Sequence, residues 1–535
     1  MAITVMATVE KINKVAKKPA LLAACFILSP TTLAGEWTFV PSLGFTETFS
    51  DNVELTKQEQ TSSFVSQLIF GFDANFQSKD ALISFSGTET LAAYSHNSDL
   101  NDDFQTMQLE GLFSLWSSGP QLIISSDISN VSQSNSNNSL ADLVSGDTVQ
   151  RQIHSAGLQY NIQNSHHILD SSIIYSVTES EDNIGDSNGY TAILNSKNGN
   201  AARAIFWQIT GNFSNLKNNS LQGENYSLES KLGAITSWRL NPFIRYYNER
   251  ITGNIPATNP DTTPSWGPGV QWLATKNFTL DVSYNYVQEG NDNSDDYLAA
   301  NVDWQPSART SLKAGYNQRF FGDSYNFELT HQTKRLKNLI YYTETIEIFD
   351  RYSYQEEKSG DFWCLSPVSQ DTASSDCLSA AQPPSDTTNY QLVAFNNLVP
   401  VENNEFTLNK RLLWTSTLNL SRTSFKFTAS TREREALSTH IIDDYITADF
   451  KISRKTSARS ALDFLVSYSE NTFDKNNPNG SRQKDIYKSI STTYSRELAS
   501  SLSAFFTLRF LDRESSVIDR TYNEVRASIN ITKDF

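Results

Sequence analysis

Trp37-Thr38-Phe39-Val40-Pro41-Ser42-Leu43-Gly44-Phe45-Thr46-Glu47-Thr48-Phe49 is a stretch in which apolar and polar residues take turns. Trp37, Phe39, Leu43, Phe45 and Phe49 share one parity and Thr38, Ser42, Gly44, Thr46 and Thr48 the other. That is the period of a strand with one apolar and one polar face. The alternation recurs in Phe64, Leu68, Phe70, Phe72 and Phe76 against Gln67, Asp73 and Asn75. Near the end, Leu502, Ala504, Phe506, Leu508 and Phe510 oppose Ser503, Thr507 and Arg509. Repeated along the chain, it predicts about 24 strands and no helical stripe beyond residue 34.

The connections carry a second pattern. Short turns such as Ser117-Ser118-Gly119-Pro120, Lys197-Asn198-Gly199-Asn200, Gln305-Pro306-Ser307-Ala308 and Arg454-Lys455-Thr456-Ser457 alternate with long polar segments at 50–62, 132–147, 251–264, 288–296, 353–403 and 472–484. With the N-terminus on the periplasmic side, every long loop follows an odd-numbered strand. An all-β sandwich gives no reason for that regularity, whereas an outer-membrane barrel has short periplasmic turns, long external loops and an even strand count. The predicted fold is therefore all-β, a transmembrane antiparallel up-and-down barrel.

Composition agrees with closure. Only 38% of the 535 residues are hydrophobic, yet 12% are aromatic. A helical membrane protein needs uncharged apolar runs of about 20 residues; a barrel needs apolar side chains on one strand face only, over a wet lumen. Trp266, Trp272, Tyr284, Tyr286, Trp304 and Tyr316 suit interfacial girdles. The net charge of −16, from 43 Lys and Arg against 59 Asp and Glu, disfavours a nucleic-acid partner.

Lys11, Lys14, Lys17 and Lys18 precede an apolar core from Ala20 to Leu28, and Thr32-Leu33-Ala34 ends it with a small residue. Residues 1–34 thus fit a secretory signal, leaving 35–535 as a single barrel. The weaker alternative is Leu22-Ala23-Ala24-Cys25 as a lipid-attachment site, which shortens the apolar core. With Cys25 removed, Cys364 and Cys377 remain in one polar segment, and an even pair in an exported chain favours a disulfide. Closing so short a loop is worth about 3 kcal/mol of chain entropy. Metal binding is the weaker alternative, since no His lies nearby.

Several stretches are more specific than a generic barrel. Trp37-Thr38-Phe39-Val40-Pro41-Ser42-Leu43 is followed by Thr46-Glu47-Thr48 and Asp51-Asn52-Val53. Further on come Trp304-Gln305-Pro306-Ser307-Ala308-Arg309-Thr310 and Arg319-Phe320-Phe321-Gly322-Asp323-Ser324-Tyr325, ending near His331, and then Thr431-Arg432-Glu433-Arg434-Glu435 beyond the cysteine loop. Together they resemble the PEP-CTERM system-associated outer-membrane proteins over essentially the whole exported chain. The resemblance implies a setting in Gram-negative bacteria, at loci for exopolysaccharide and exosortase, more than a mechanism. The alternating end, Val525, Ala527, Ile529, Ile531 and Phe535, resembles the signal read by the outer-membrane assembly machinery, with Lys533 interrupting the apolar row. Outer-membrane lipid and lipopolysaccharide are the expected surroundings. Pro306 and Gly322 have structural explanations as turn residues, and His331 falls on the lipid side.

For chemistry, the six histidines, His96, His154, His166, His167, His331 and His440, lie in no recognisable nucleophile or metal motif. No cofactor is expected, and an enzyme acting at the rim through His96 or His440 is the third reading. The acidic run Glu289-Gly290-Asn291-Asp292-Asn293-Ser294-Asp295-Asp296 lacks the spacing of a calcium loop, so solvated acidic surface is expected there. Setting Phe425 and Phe427 toward lipid turns Arg422, Lys426 and Arg432 inward, and the same rule sends Lys313, Arg319, Arg411, Lys451, Arg459, Arg509 and Arg526 inward. Asp303, Asp449, Asp463 and Glu524 are the fewer inward acids. A basic lumen under acidic loops favours an anionic solute such as a uronic-acid polymer; the bland alternative is that these cations pair across the wall. The expected function is a porin-like conduit or accessory for exopolysaccharide export. Second is a structural or adhesive barrel whose loops bind a surface polymer or protein. Residues 353–403 are the one insert expected to obstruct the lumen.

Overall fold

In a computed structural model the described residues are 35–535, apart from 59, 134–141, 146–147, 219–220, 255–263, 289–295, 349–352, 367–376, 381–383, 385–388, 402–404, 477–481 and 518–519. The expected signal segment and most of the acidic run at 289–296 lie outside them.

The strands run as β1 (Gly35–Ser50), β2 (Ser63–Ser78), β3 (Ala81–Tyr94), β4 (Asp102–Ser114), β5 (Gln121–Ser132), β6 (Thr148–Gln163), β7 (His167–Ser180), β8 (Ser187–Asn198) and β9 (Ile205–Asn218). Then follow β10 (Leu221–Ala234), β11 (Leu240–Gly253), β12 (Ser265–Thr275), β13 (Phe278–Val287), β14 (Tyr297–Ser307), β15 (Thr310–Arg319), β16 (Gly322–Gln332) and β17 (Leu336–Glu347). After them come β18 (Ser353–Leu365), β19 (Leu378–Ser379), β20 (Tyr390–Val401), β21 (Thr407–Asn419), β22 (Thr423–Ala436), β23 (Ile442–Lys455), β24 (Ser460–Phe473), β25 (Gln483–Ala499), β26 (Leu502–Ser515) and β27 (Tyr522–Asp534).

Twenty-four of these form one antiparallel sheet. β1 pairs with β27 from Ser42↔Asp534 to Ser50↔Arg526, so the sheet has no free edge. β17 pairs directly with β21, and β18, β19 and β20 form a separate three-stranded sheet between them. Both ends of the barrel chain lie at the short-turn end, so that end is periplasmic. Gly322, at φ +112° in the external reversal between β15 and β16, takes a backbone conformation that favours glycine.

The outward parity is the apolar one. Phe45, Leu232, Ile244, Trp266, Trp272, Phe506, Ile529 and Ile531 are all exposed despite their size. Ring pairs such as Trp266 with Tyr286 at 5.6 Å and Trp414 with Phe427 at 4.9 Å lie on that face. An apolar outer wall on a closed barrel has hydrocarbon as its solvent, since each backbone polar group is satisfied within the sheet. The protein is an outer-membrane β-barrel of a Gram-negative bacterium.

Candidate functional site in the barrel lumen

Cross-strand register fixes which side chains face inward. Arg319, buried Glu249, Arg245 and Lys231 sit on the inner faces of β15, β11, β11 and β10. Arg319 donates from Nε to Glu249 Oε2 at 2.9 Å, and Arg245 reaches Glu229 at 2.8 Å, Tyr297 Oη at 3.2 Å and Asn317 Oδ1 at 3.0 Å. Lys231 Nζ lies 3.0 Å from Asp281 on β13. β11 and β15 are four strands apart, about 19 Å along a sheet. Direct contact between their side chains requires the wall from β10 to β15 to curl so that its inner faces meet. Gly267 and Gly269 on β12 permit the curl. A Cβ on Gly269 would collide with the Phe243 ring, and one on Gly267 with the carbonyl of Tyr284.

The cap over this lobe is apolar. Phe320 and Phe321, at the β15–β16 turn, pack on a buried cluster of Ile251, Ile348, Phe406, Leu408 and Leu437. Ion pairs thus join the inner faces of β10–β15 beside this apolar cluster.

A second packed region comes from the β5–β6 connection. Asp142 Oδ2 is 2.7 Å from Arg526 and 3.8 Å from Arg509; Ser145 Oγ accepts from Arg526 at 2.9 Å, and the Leu143 carbonyl accepts from Tyr94 Oη at 2.7 Å. Val144 is buried with Val53, Val65 and Ala92. Residues 142–145 reach the inner wall because their carboxylate answers two arginines directly opposite one another, Arg509↔Arg526. Within the 353–403 segment, β18–β20 hydrogen-bond among themselves, and Cys364 and Cys377 are joined by a disulfide with Cα atoms 4.3 Å apart.

The basic row divides into four groups. Arg319, Arg432, Lys451, Arg509 and Arg526 are inward and paired: Arg432 with Glu347 at 3.1 Å and Asn409 at 2.8 Å, Lys451 with Asp463 at 3.2 Å. Lys313 stands between Asp303 and Glu328 in register. Arg411 and Lys426 are inward and exposed, and among the described residues neither makes an ion pair or a side-chain hydrogen bond. Arg411 lies directly opposite Arg432, and Lys426 opposite Lys451. Arg422 and Arg459 need correction: both sit in periplasmic turns rather than on the wall. Strand parity was extended past the strand ends for these two.

Arg245, Glu249, Lys231 and Asp281 were not singled out in the sequence. Their signal was available, since Glu229 and Lys231, and Arg245, Tyr247 and Glu249, alternate as inward polar residues on β10 and β11.

The histidines have partners of ordinary kinds. His331 Nδ1 is 2.8 Å from Thr310 Oγ1, His154 Nδ1 2.9 Å from Ser126 Oγ, and exposed His440 Nδ1 3.4 Å from Glu435. His96 comes nearest to a hydrolytic arrangement, with Nδ1 2.8 Å from Ser63 Oγ and Nε2 3.8 Å from Glu54. Ser63 is only 2% exposed. Among the described residues no group of three His, Cys, Asp or Glu is placed to hold a metal.

At the C-terminus Phe535 is exposed, Lys533 Nζ lies 4.6 Å from its ring centre, and its amide donates to the Pro41 carbonyl at 2.9 Å.

No protein-family model and no curated protein matches the chain. Among solved structures it is similar to the siderophore receptor PirA from Pseudomonas aeruginosa at 8% identity, covering 93% of this chain and 80% of that one, TM-score 0.38. The FrpB iron transporter from Neisseria meningitidis is 9% identical, with 93% and 81% covered and TM-score 0.41. OmpT of Vibrio cholerae, as a loop L8 deletion mutant, is 9% identical, with 94% and 100% covered and TM-score 0.31. These likenesses bear on neither solute nor mechanism.

Proposed function

We propose that this porin-like barrel is a non-enzymatic conduit for an acidic exopolysaccharide. The observation that carries the reading is the inner face of β21–β23, where Arg411 and Lys426 have no counter-ion among the described residues and stand opposite Arg432 and Lys451. Like charges placed directly across a ladder are destabilising, and an arriving carboxylate relieves that cost with charge-assisted hydrogen bonds. Uronic-acid sugars supply such carboxylates at every residue. In this reading the outer wall meets lipid and lipopolysaccharide, the C-terminal strand with Phe535 engages the assembly machinery, and the periplasmic mouth meets the polymer's export apparatus.

The test is single-channel recording in planar bilayers under a potassium chloride gradient. An anion-selective reversal potential that weakens in Arg411→Ala and Lys426→Ala supports the reading; cation selectivity, or no conductance with or without reduction of the Cys364–Cys377 bond, removes it.

The second reading, a structural or adhesive barrel with a closed lumen, draws on the packed β10–β15 lobe and the Asp142 contacts. Deleting residues 353–403 separates the two. A conduit keeps or gains conductance, whereas an adhesin loses polymer binding and gains none.

A further inference from the structure

Charge is sorted along the barrel axis. Seven consecutive short turns, from the one joining β8 to β9 through the one joining β23 to β24, each hold a cation: Arg203, Arg239, Lys276, Arg309, Arg335, Arg422 and Arg459. Over all eleven short turns the connecting residues include nine Lys or Arg and a single carboxylate, Asp80. Among the described residues the connections at the opposite end hold 13 carboxylates and five Lys or Arg. A chain of net charge −16 thus has a cationic periplasmic rim.

These rim cations differ from those inside. Arg245, Arg319, Arg432, Arg513 and Arg526 are each tied to a carboxylate. The turn cations are exposed, and among the described residues none of them makes an ion pair. Their turns are closed by backbone instead: the carbonyls of Arg309, Arg335, Arg422 and Arg459 accept from the amides of Gln332, Asn419, Lys455 and Glu497 at 2.7–2.8 Å. At these four the fold uses the main chain and, among the described residues, engages no side-chain charge, whereas Arg203 donates to the carbonyls of Asn200 and Ala202 and Arg239 to that of Ala274. Successive turns are two strands apart, about 10 Å. That is close to the Debye length of about 10 Å at 0.1 M salt, so their fields merge into one arc along the rim rather than acting as isolated points.

We infer that the barrel takes up its acidic polysaccharide from the periplasmic side, capturing the chain on the arc of cationic turns at that mouth while the carboxylates of the outer connections disfavour capture from outside. This rests on the conduit reading and adds to it the residues that capture the chain. A polyanion diffusing in the periplasm meets an attractive potential at the mouth, then Lys426 and Arg411 on the inner wall, then a repulsive rim at the exit. Electrostatic focusing of this kind raises encounter rates by about 10- to 1000-fold at low ionic strength. The same cations are also within reach of anionic headgroups in the inner leaflet, which is the competing use.

The experiment is single-channel recording with the barrel inserted in a known orientation in phosphatidylcholine bilayers. Short oligogalacturonate is added to one side at a time, with neutral dextran as control, and capture events are counted at about 0.1 M salt. Capture from the short-turn side is expected about tenfold more often than from the loop side. The combined variant Arg309→Ser, Arg335→Ser, Arg422→Ser and Arg459→Ser is expected to bring that ratio near one while leaving the open-channel conductance within about twofold. Equal capture from both sides by the unsubstituted barrel overturns the inference, as does a ratio that the variant leaves unchanged. Loss of the asymmetry when phosphatidylglycerol is added to the bilayer assigns the cationic arc to headgroups and equally overturns it. A conducting barrel with symmetric capture leaves the conduit reading standing; a barrel without conductance removes both.

Discussion

Glu249→Leu is the most informative single change to the filled lobe. Glu249 has a side chain only 1% exposed and takes the guanidinium of Arg319, itself 16% exposed, together with the hydroxyl of Tyr247 at 2.8 Å. Removing the carboxylate leaves Arg319 inside the wall with the Glu344 carbonyl at 3.1 Å and the Phe321 ring at 4.6 Å as its remaining partners. Breaking a buried pair from one side costs about 3–5 kcal/mol. The remaining carbonyl and ring place this case toward the lower end, about 3 kcal/mol. The double variant Glu249→Leu with Arg319→Met is expected to recover most of that loss, because no unpaired charge is left behind. The assay is equilibrium unfolding in lipid vesicles by tryptophan fluorescence against guanidinium, with the midpoint converted by linear extrapolation. A loss below about 1 kcal/mol for the single variant, or a double variant no more stable than the single, would refute the claim that β11 and β15 meet through this pair.

Three further outcomes follow from neighbouring geometry. Asp142→Asn removes the carboxylate that both Arg509 and Arg526 face and should raise open-channel conductance and current noise; an unchanged trace places residues 142–145 away from the path. Gly269→Val should cost about 1–3 kcal/mol by overpacking against Phe243, read in the same unfolding assay, and an unaffected midpoint would mean that the curl of β12 does not need glycine. Cys364→Ser with Cys377→Ser should speed proteolysis within 353–403 and leave the barrel's unfolding midpoint where it was, since β18–β20 form their own sheet; a lowered midpoint would tie that sheet to the wall.

Much of the wall was legible because a strand buries by parity. Trp37, Phe39 and Phe45 declare their face without tertiary information, and the alternation of short and long connections declares which end is which. The same rule placed Arg319 and Arg526 inward. It did not foretell that Arg319 meets Glu249 four strands away, because that contact depends on the barrel's cross-section and not on any local register. Nor did it place Asp142 against Arg526, since a loop residue has no parity to read. Arg422 and Arg459 show the limit at strand ends, where one residue beyond the last ladder pair already belongs to the turn. Those two cations then acquire a different meaning on the periplasmic rim.

The central claim is that the lumen passes an acidic polymer. Its most direct test is uptake of fluorescent oligogalacturonate by proteoliposomes carrying the barrel, alongside neutral dextran of matched length. Oligogalacturonate should enter faster than dextran, and the advantage should fall in Arg411→Ala with Lys426→Ala; equal entry of the two polymers, or exclusion of both, would contradict the claim.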